Sequence, residues 1–525
     1  MTAVPPALLP VRDRTPVLLF GIVLAAGVVL ACIALAVHPY FFQFYGDANS
    51  RLVQTRMIVD STNPGLHWIG SVWLPLPQLL FLPFSLVGAL FSTGLAGFVV
   101  CMPLLAWSAA LLYKLALRIT GDRAVSALAA LFFALNPNTL YVSMTAMTET
   151  VTLFFFIAAL WHWTAWISAP TDDTVNPRLL LGSLAAAAAT LCRYEAWLFT
   201  AVGAAGIALI ILFSRRALSR KAALLGMLLS SFLGIALWLL WNRTQFGDAF
   251  YFNHAEYYSA AWQARHRPVR DSYYLQAWNS IGIYATTTLA IYGPVFLLAA
   301  TAGTAVLFRR RPRRETLFLL ATLLVMPFFT LLSLYLGIAE MTQWWNSRYV
   351  LLLAPFVALA TAIAFARWKS AARSPRLVHG VMATAFILTT AFQIGLQKGQ
   401  VVTIADAAGG FYYMQTPYAT EVGELLRREY REGMVLCATG SGQSHRIIQP
   451  SGIATKRFVT GLNHDRRLLD PAVLRADFSW VIVGLEASPD GAVIATRWIA
   501  DRAILERDFD PVFRNAYYIV YRRRG

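Results

Sequence analysis

Residues 16–37 read PVLLFGIVLAAGVVLACIALAV, and YGDANSR follows at residues 45–51. The first stretch has no charged residue and is long enough to cross a bilayer as a helix. Ala34-Leu35-Ala36 resembles a signal-peptide cleavage site, but the stretch is longer than a signal peptide's apolar region, so we expect an uncleaved helix. The second stretch places a carboxylate, an amide and a guanidinium directly beyond it, where polar groups tend to serve function.

The rest of the chain repeats this alternation of apolar and charged segments. Its 525 residues are 58% hydrophobic with a mean hydropathy of +0.55, more apolar surface than a soluble protein can bury. The apolar segments predict an all-α polytopic membrane protein with about eleven transmembrane helices. They lie near residues 16–37, 95–117, 124–141, 150–168, 179–192, 196–213, 222–241, 281–308, 316–338, 349–366 and 377–396.

The charged loops between these segments are of two kinds, and the difference sets the topology. One kind carries only Arg and Lys, which predicts a cytoplasmic location. Residues 72–92 contain three prolines, so we expect a re-entrant or interfacial segment there instead of a straight span. Every purely basic cluster is then cytoplasmic: Lys114, Arg118 and Arg123; Arg215, Arg216, Arg220 and Lys221; residues 309–314; and Arg367, Lys369, Arg373 and Arg376. The mixed loops face the extracytoplasmic side of the cell (inner) membrane.

The net charge of +17 follows from those cytoplasmic loops, so it does not indicate a nucleic-acid partner. Residues 399–525 differ from the transmembrane domain at 1–398, because they are polar and mixed in charge. They predict a small extracytoplasmic α/β domain with strands near 434–438, 480–483 and 515–521 and a helix near 420–431.

The first extracytoplasmic loop carries the candidate catalytic residue Asp47. Residues 48–60 predict an amphipathic helix at the membrane interface, with Leu52 and Ile58 toward lipid and Arg51 toward water. An aspartate at a helix start favours an N-cap, and the same carboxylate can take a proton from an incoming hydroxyl. The chemistry of the sequence favours the cap, and the two roles are compatible.

Three further extracytoplasmic sites carry charged residues at the ends of spans. Glu149 starts a span, where the helix dipole stabilises an acid and a polar cavity is expected beside it. Arg193 and Glu195 form either an internal pair or part of a ligand site. Arg348, followed by Tyr349, either snorkels to the interface or holds a lipid phosphate with its planar guanidinium.

An aromatic-rich loop at residues 241–271 adds the candidate substrate-binding residues Asn242, Asp248 and His254. Tyr and Trp rings in such a loop form an interfacial belt, or they pack against the faces of a sugar. The belt is the commoner role for any single ring.

Taken together, these residues resemble the polytopic C-type glycosyltransferases (the GT-C fold), in the branch of protein O-mannosyltransferases and the lipid A aminoarabinose transferase. The resemblance covers roughly the first 370 residues. It rests on these residues and on their order and sidedness: Gly46-Asp47, Trp73-Leu74-Pro75-Leu76-Pro77, Asn136-Pro137-Asn138, Thr148-Glu149, Asn242 to Asp248, and Arg348-Tyr349.

The resemblance implies a hexosyl- or pentosyltransferase of the cell envelope. The donor would be a sugar on a polyprenyl phosphate, bound with membrane lipid, and the acceptor a glycan, lipid or protein. Asp47 matches the carboxylate that activates the acceptor hydroxyl, with inversion of the sugar, and Glu149 a second acid that binds acceptor or donor. Arg348 matches an arginine that meets the donor phosphate. Relatives often carry two adjacent acids in the first loop, whereas Ala48 follows Asp47 here, so a divalent metal lacks its paired-acid motif and no His/Cys set replaces it.

A transporter or lipid flippase is the main alternative. Such proteins place broken helices and ionisable groups near the bilayer midplane, often within internal repeats. This sequence gathers its ionisable groups at one face, which favours an enzyme. A scaffolding role with the C-terminal part as a binding module stays open as a second alternative.

Overall fold

A computed structural model of the chain describes residues 13–168, 177–214, 216–255, 259–266, 272–309, 313–342, 345–395, 401–439, 441–460, 478–485 and 502–524. Helices dominate these ranges. They are α1 (Thr15–Val37), α2 (Gly46–Met57), α3 (Pro75–Ser85), α4 (Gly88–Thr93), α5 (Leu95–Thr120), α6 (Arg123–Leu135), α7 (Pro137–Ser143), α8 (Thr148–Ile167), α9 (Pro177–Thr190), α10 (Glu195–Leu212), α11 (Leu218–Leu229), α12 (Leu233–Phe246), α13 (Tyr251–His254), α14 (Ala260–Arg265), α15 (Ala277–Arg309), α16 (Arg314–Leu323), α17 (Val325–Tyr335), α18 (Ala354–Ala371), α19 (Pro375–Gly395), α20 (Val402–Tyr413), α21 (Thr416–Glu429), α22 (Ser441–Ser451) and α23 (Arg502–Asp508).

Nine helical spans in the described part of the chain are long and apolar enough to cross a membrane, so the chain is a multi-pass membrane protein. The pair α6 and α7 bends by 58° and makes a tenth span if it is counted as one. The segment expected at 179–192 forms α9, whose 14 residues are shorter than a straight crossing requires. The nine are Thr15–Val37, Leu95–Thr120, Thr148–Ile167, Glu195–Leu212, Leu218–Phe246, Ala277–Arg309, Arg314–Tyr335, Ser347–Ala371 and Pro375–Gln393.

The proline-containing segment at 72–92 folds as two short helices, α3 and α4, with 11 and 6 residues. Pro75 and Pro77 lie in the first turn of α3, where a missing N–H costs nothing. Neither helix is long enough to cross a bilayer, so the segment does not form a straight span, as the prolines predict.

One mixed cluster and one purely basic cluster lie at opposite ends of α8. Glu149 belongs to the first turn of α8. Lys114 and Arg118 stand over the ring of Trp161 near the other end of α8, at 5.7 and 5.5 Å from its centroid. For this helix, the separation of mixed and purely basic clusters is as the sequence predicts.

The C-terminal part contains a five-stranded sheet with strands β1 (Met434–Ala438), β2 (Phe458–Thr460), β3 (Phe478–Gly484), β4 (Phe509–Arg514) and β5 (Tyr518–Arg523). The strand order is β2-β1-β3-β5-β4, with parallel pairing around β1 and antiparallel pairing of β5. The predicted strand at 515–521 begins only at Tyr518, because the Asn515 side chain accepts the N–H groups of Tyr517 and Tyr518 in a turn.

Candidate active site

Asp47 lies in the first turn of α2 and does not cap it. The helix begins at Gly46, and the backbone carbonyl of Tyr45 accepts the N–H groups of Ala48 and Asn49. The N-cap role favoured by the sequence is therefore wrong, because the helix starts before Asp47. Its carboxylate, 48% exposed, instead accepts a hydrogen bond from Arg348 Nη2 at 2.8 Å.

Glu149 is fully buried in the first turn of α8 and bridges two arginines. Its Oε1 accepts from Arg193 Nη1 at 2.8 Å and from Arg348 Nε at 3.1 Å. Its Oε2 is buried and has no hydrogen-bond partner among the described residues. A buried carboxylate oxygen without a donor is costly, so this atom marks a place where a ligand donor fits.

These contacts make a continuous chain of ion pairs from four distant segments. Arg348 joins Asp47 to Glu149, and Arg193 joins Glu149 to Glu195 with Nη2 at 2.6 Å from Glu195 Oε1. The Tyr349 ring lies beside both guanidiniums, with centroid distances of 5.1 Å to Arg193 and 5.3 Å to Arg348. The internal pair predicted for Arg193 and Glu195 exists, and it is also part of the larger site.

Arg51 does not face water, and the predicted interfacial orientation of α2 is wrong. Its guanidinium is buried, donates Nη1 to the Ala146 carbonyl at 3.0 Å and lies 4.5 Å from the Trp73 ring. Leu52 and Ile58 are buried too, because α3 and the C-terminal helix α22 pack over α2. Loss of hydration lowers the pKa of Arg51 to about 10, while the nearby Asp47 and Glu149 carboxylates oppose that effect.

Asn242, Asp248 and His254 do not take part in this chain of ion pairs. The buried Asn242 amide donates to the Trp238 carbonyl of its own helix at 3.1 Å. Asp248 and His254 are exposed and pair with each other at 3.2 Å. The C-terminal half of α12, which carries Asn242, still contacts the segment between α2 and α3, because Trp241 Nε1 donates to the Gly70 carbonyl at 2.9 Å.

Sequence analysis missed Asp406, which fixes the position of Arg348. Its Oδ2 accepts from the Ser347 backbone N at 3.0 Å and from Ser347 Oγ at 2.8 Å. Burial raises the pKa of Asp406 to about 6, although Arg348 and the Ser347 hydrogen bonds act in the opposite direction. The sequence does contain a signal that could have identified Asp406: it is an acidic residue within the otherwise apolar stretch VTIADAA at residues 402–408.

The helix that carries Asp406, α20, contacts the other site segments as well. The Thr403 carbonyl accepts the Tyr45 hydroxyl at 2.9 Å, next to Asp47. The Thr403 N–H donates to Asn138 Oδ1 at 3.0 Å, on the short helix that precedes Glu149. A single helix outside the bundle thus fixes the relative positions of the segments bearing Asp47, Glu149 and Arg348.

The side chains of the site do not fit a bound divalent metal. No group of three or more His, Cys, Asp or Glu side chains within the described ranges could hold one. The carboxylates of Asp47, Glu149 and Glu195 are each paired with an arginine instead. Among the described side chains of the ion-pair chain, the positive charges are the guanidinium groups of Arg193 and Arg348.

No protein-family model matches the sequence, and no curated protein matches it significantly. Among solved structures, ArnT from Cupriavidus metallidurans bound to undecaprenyl phosphate is similar, with 12% identity over 94% of this chain and 97% of that chain and a TM-score of 0.54. The apo state of ArnT gives 13% identity over 95% and 98% and a TM-score of 0.50. The apo oligosaccharyltransferase of Archaeoglobus fulgidus gives 11% identity over 98% and 75% and a TM-score of 0.49. The likeness to ArnT shows that this chain has the GT-C fold, as its sequence predicts.

Proposed function

We propose that this protein is an integral-membrane glycosyltransferase. It moves a sugar from a polyprenyl-phosphate donor to a hydroxyl of a glycan, lipid or protein acceptor. The reaction takes place at the extracytoplasmic surface of the cell membrane, on the side opposite the purely basic loops. The observation that carries the proposal is the convergence of Asp47, Arg348 and Glu149 in one chain of ion pairs.

Asp47 is the proposed general base. Its carboxylate is the exposed end of the ion-pair chain, so an acceptor hydroxyl can approach it from outside. The hydroxyl oxygen attacks the anomeric carbon while its proton passes to Asp47. The bond between that carbon and the phosphate oxygen breaks, and its electron pair leaves with the phosphate. A single displacement of this kind inverts the anomeric centre.

Arg348 and Glu149 are the proposed stabilising and positioning groups. Negative charge develops on the leaving phosphate, and one well-placed donor such as Arg348 is worth about 3 kcal/mol of barrier in other enzymes. Glu149 holds that guanidinium by accepting a hydrogen bond from its Nε. Ser347, the residue before Arg348, is itself held by the hydrogen bond from its backbone N–H to Asp406. In the proposed reaction the guanidinium of Arg348 supplies positive charge next to the leaving phosphate.

The proposed donor class has support from the fold. ArnT, which shares it, was solved bound to undecaprenyl phosphate. In this chain the short helix α3, which packs on α2, exposes apolar side chains such as Leu79, and a polyprenyl tail can lie along them.

The test uses purified protein in nanodiscs with a panel of radiolabelled polyprenyl-phosphate sugars and candidate acceptors. We expect wild type to release polyprenyl phosphate and form a glycoside with at least one donor. Asp47→Asn should lower turnover by roughly 10²-fold or more, because the base is lost. Asp510→Asn is the matched control: it removes an exposed, arginine-paired carboxylate of the C-terminal part and should leave turnover unchanged.

Equal turnover by wild type and Asp47→Asn would remove Asp47 from the mechanism. Net flux of a labelled solute or lipid across vesicles, with no glycoside formed from any donor, would favour the transporter or flippase alternative.

A further inference from the structure

The C-terminal domain is docked directly on α2, the helix that carries Asp47. Asn49 donates to the Gln449 side chain of α22, and Gln449 Nε2 donates to the Phe91 carbonyl at 2.7 Å. Beyond the other end of α2, Asp60 accepts the backbone N–H of Thr455 at 2.9 Å. Because both ends of the helix are held, side chains of α22 have fixed positions relative to Asp47.

Arg446, on the same face of α22, is a buried arginine without a carboxylate partner. It is only 7% exposed. Its one hydrogen bond to a described residue runs from Nη1 to the Met414 carbonyl at 3.0 Å, and it forms no ion pair with any of them. Burial lowers its pKa, an effect that nearby Tyr518 and Asp47 oppose. Arg193 and Arg348 differ, since each is paired with two carboxylates.

The guanidinium of Arg446 lies against the N-terminal turn of α2. A Cβ atom on Gly46 would lie 2.9 Å from Arg446 Nη2, so the guanidinium can occupy its position only because residue 46 has no side chain. The first N–H groups of a helix have no partner within it, and the helix dipole adds partial positive charge there. Within the described part of the chain, the N–H groups of Gly46 and Asp47 have no acceptor, whereas those of Ala48 and Asn49 bond to the Tyr45 carbonyl. A buried arginine with no ion pair to a described residue therefore lies beside two open N–H groups, an arrangement that suits a phosphate.

We infer that Arg446 and the first turn of α2 form a phosphate-binding subsite, so that the extracytoplasmic domain completes the candidate active site. The ligand chemistry is a phosphate ester, supplied either by the donor lipid or by the acceptor. This inference rests on the proposed function for the location of the reaction, but phosphate binding can be measured without turnover.

The test measures binding of undecaprenyl phosphate to full-length protein in nanodiscs, by native mass spectrometry or tryptophan fluorescence. A second titration uses inorganic phosphate with undecaprenyl phosphate at saturation. We expect Arg446→Gln to weaken one of the two by about tenfold or more, because a charge-assisted hydrogen bond is lost. Arg446→Lys should fall between wild type and Gln, because it keeps the charge but loses the planar fork.

Two further variants separate the subsite from general effects on folding. Gly46→Ala keeps every charge and favours the helix, yet its methyl group displaces Nη2, so it should also weaken phosphate binding. Arg56→Gln is the matched control: Arg56 is a buried arginine of the same helix, but it is neutralised by Asp60 at 2.8 Å. It should leave both affinities unchanged.

Each outcome is decisive. Weaker undecaprenyl phosphate binding in Arg446→Gln assigns the subsite to the donor phosphate, and weaker inorganic phosphate binding alone assigns it to the acceptor. Unchanged affinity for both in folded Arg446→Gln and Gly46→Ala overturns the inference. Failure of wild type to bind undecaprenyl phosphate counts against the proposed donor, and the inorganic phosphate titration, repeated without that lipid, then decides on Arg446.

Discussion

Replacing Asp406 with Asn removes a buried negative charge while keeping the shape of the side chain. In the wild type, both hydrogen bonds from Ser347 end on Oδ2 of this carboxylate, at 3.0 and 2.8 Å. Burial nevertheless outweighs them and raises the pKa of Asp406 to about 6. The folded protein therefore holds a proton on Asp406 more tightly than the unfolded chain does.

The size and sign of the effect follow from that difference. The pKa of Asp406 rises from its usual value of 3.8 to about 6, an increase of about two pKa units. Each pKa unit corresponds to about 1.4 kcal/mol, so the fully ionised carboxylate costs about 3 kcal/mol of folding stability. Well below pH 3.8 both states of the wild type are protonated and this cost is absent. It develops as the pH rises through about 4 to 6 and stays in full at pH 7.5. Asn is neutral throughout, so Asp406→Asn should be more stable than wild type at pH 7.5 and similar to it near pH 4.

Thermal unfolding of both proteins in detergent at pH 4.5 and 7.5 measures this difference. Turnover should move the opposite way, because an amide holds Ser347, and hence Arg348, less firmly than a carboxylate. Ser347→Ala is the matched control, since it removes one donor to the charged form and should lower stability at pH 7.5. If wild type and Asp406→Asn change equally between the two pH values, the buried-charge argument is refuted.

Two predictions concern the ion-pair chain and the packing of the spans. Glu149→Gln should destabilise the protein by about 3 kcal/mol, which is the low end for losing one partner of a buried ion pair. The loss stays at the low end because Arg193 and Arg348 each keep another carboxylate. Unchanged melting and turnover would show that Glu149 does not hold the two arginines. Gly303→Ala should cost about 1–3 kcal/mol in thermal stability, because its Cβ would overlap a backbone carbonyl of the facing helix. Gly282→Ala on the same helix meets open space and should be neutral or slightly stabilising, because alanine favours a helix. Equal melting of both variants would contradict the close packing at Gly303.

Several parts of the site could be recognised from sequence because they depend on local composition. Asp47, Glu149 and Arg348 are charged groups next to apolar spans, where burial in lipid is too costly without a polar cavity. The prolines at 75 and 77 likewise predicted a segment that does not cross the membrane as a straight helix. The sequence did not predict the orientation of α2, since its amphipathic pattern fits a lipid surface and a protein interior equally well.

Asp406 and Arg446 were missed for a different physical reason. Each lies in the part of the chain that looked like a separate domain, and neither belongs to a motif. Their roles come from contacts with Ser347 and Gly46, which are 59 and 400 positions away in the chain. Such pairings depend on how helices dock, which no local pattern encodes.

The sequence by itself determined the membrane class, the segregation of basic and mixed loops, and the residues able to perform chemistry. Hydropathy and charge act over a single segment, so they can be read from its composition. Only the tertiary structure decided which charges pair, that Glu149 is shared by two arginines, and that the C-terminal domain supplies Arg446 next to Asp47. Ion pairs between buried groups form over about 3 Å, so they exist only after distant segments have packed together.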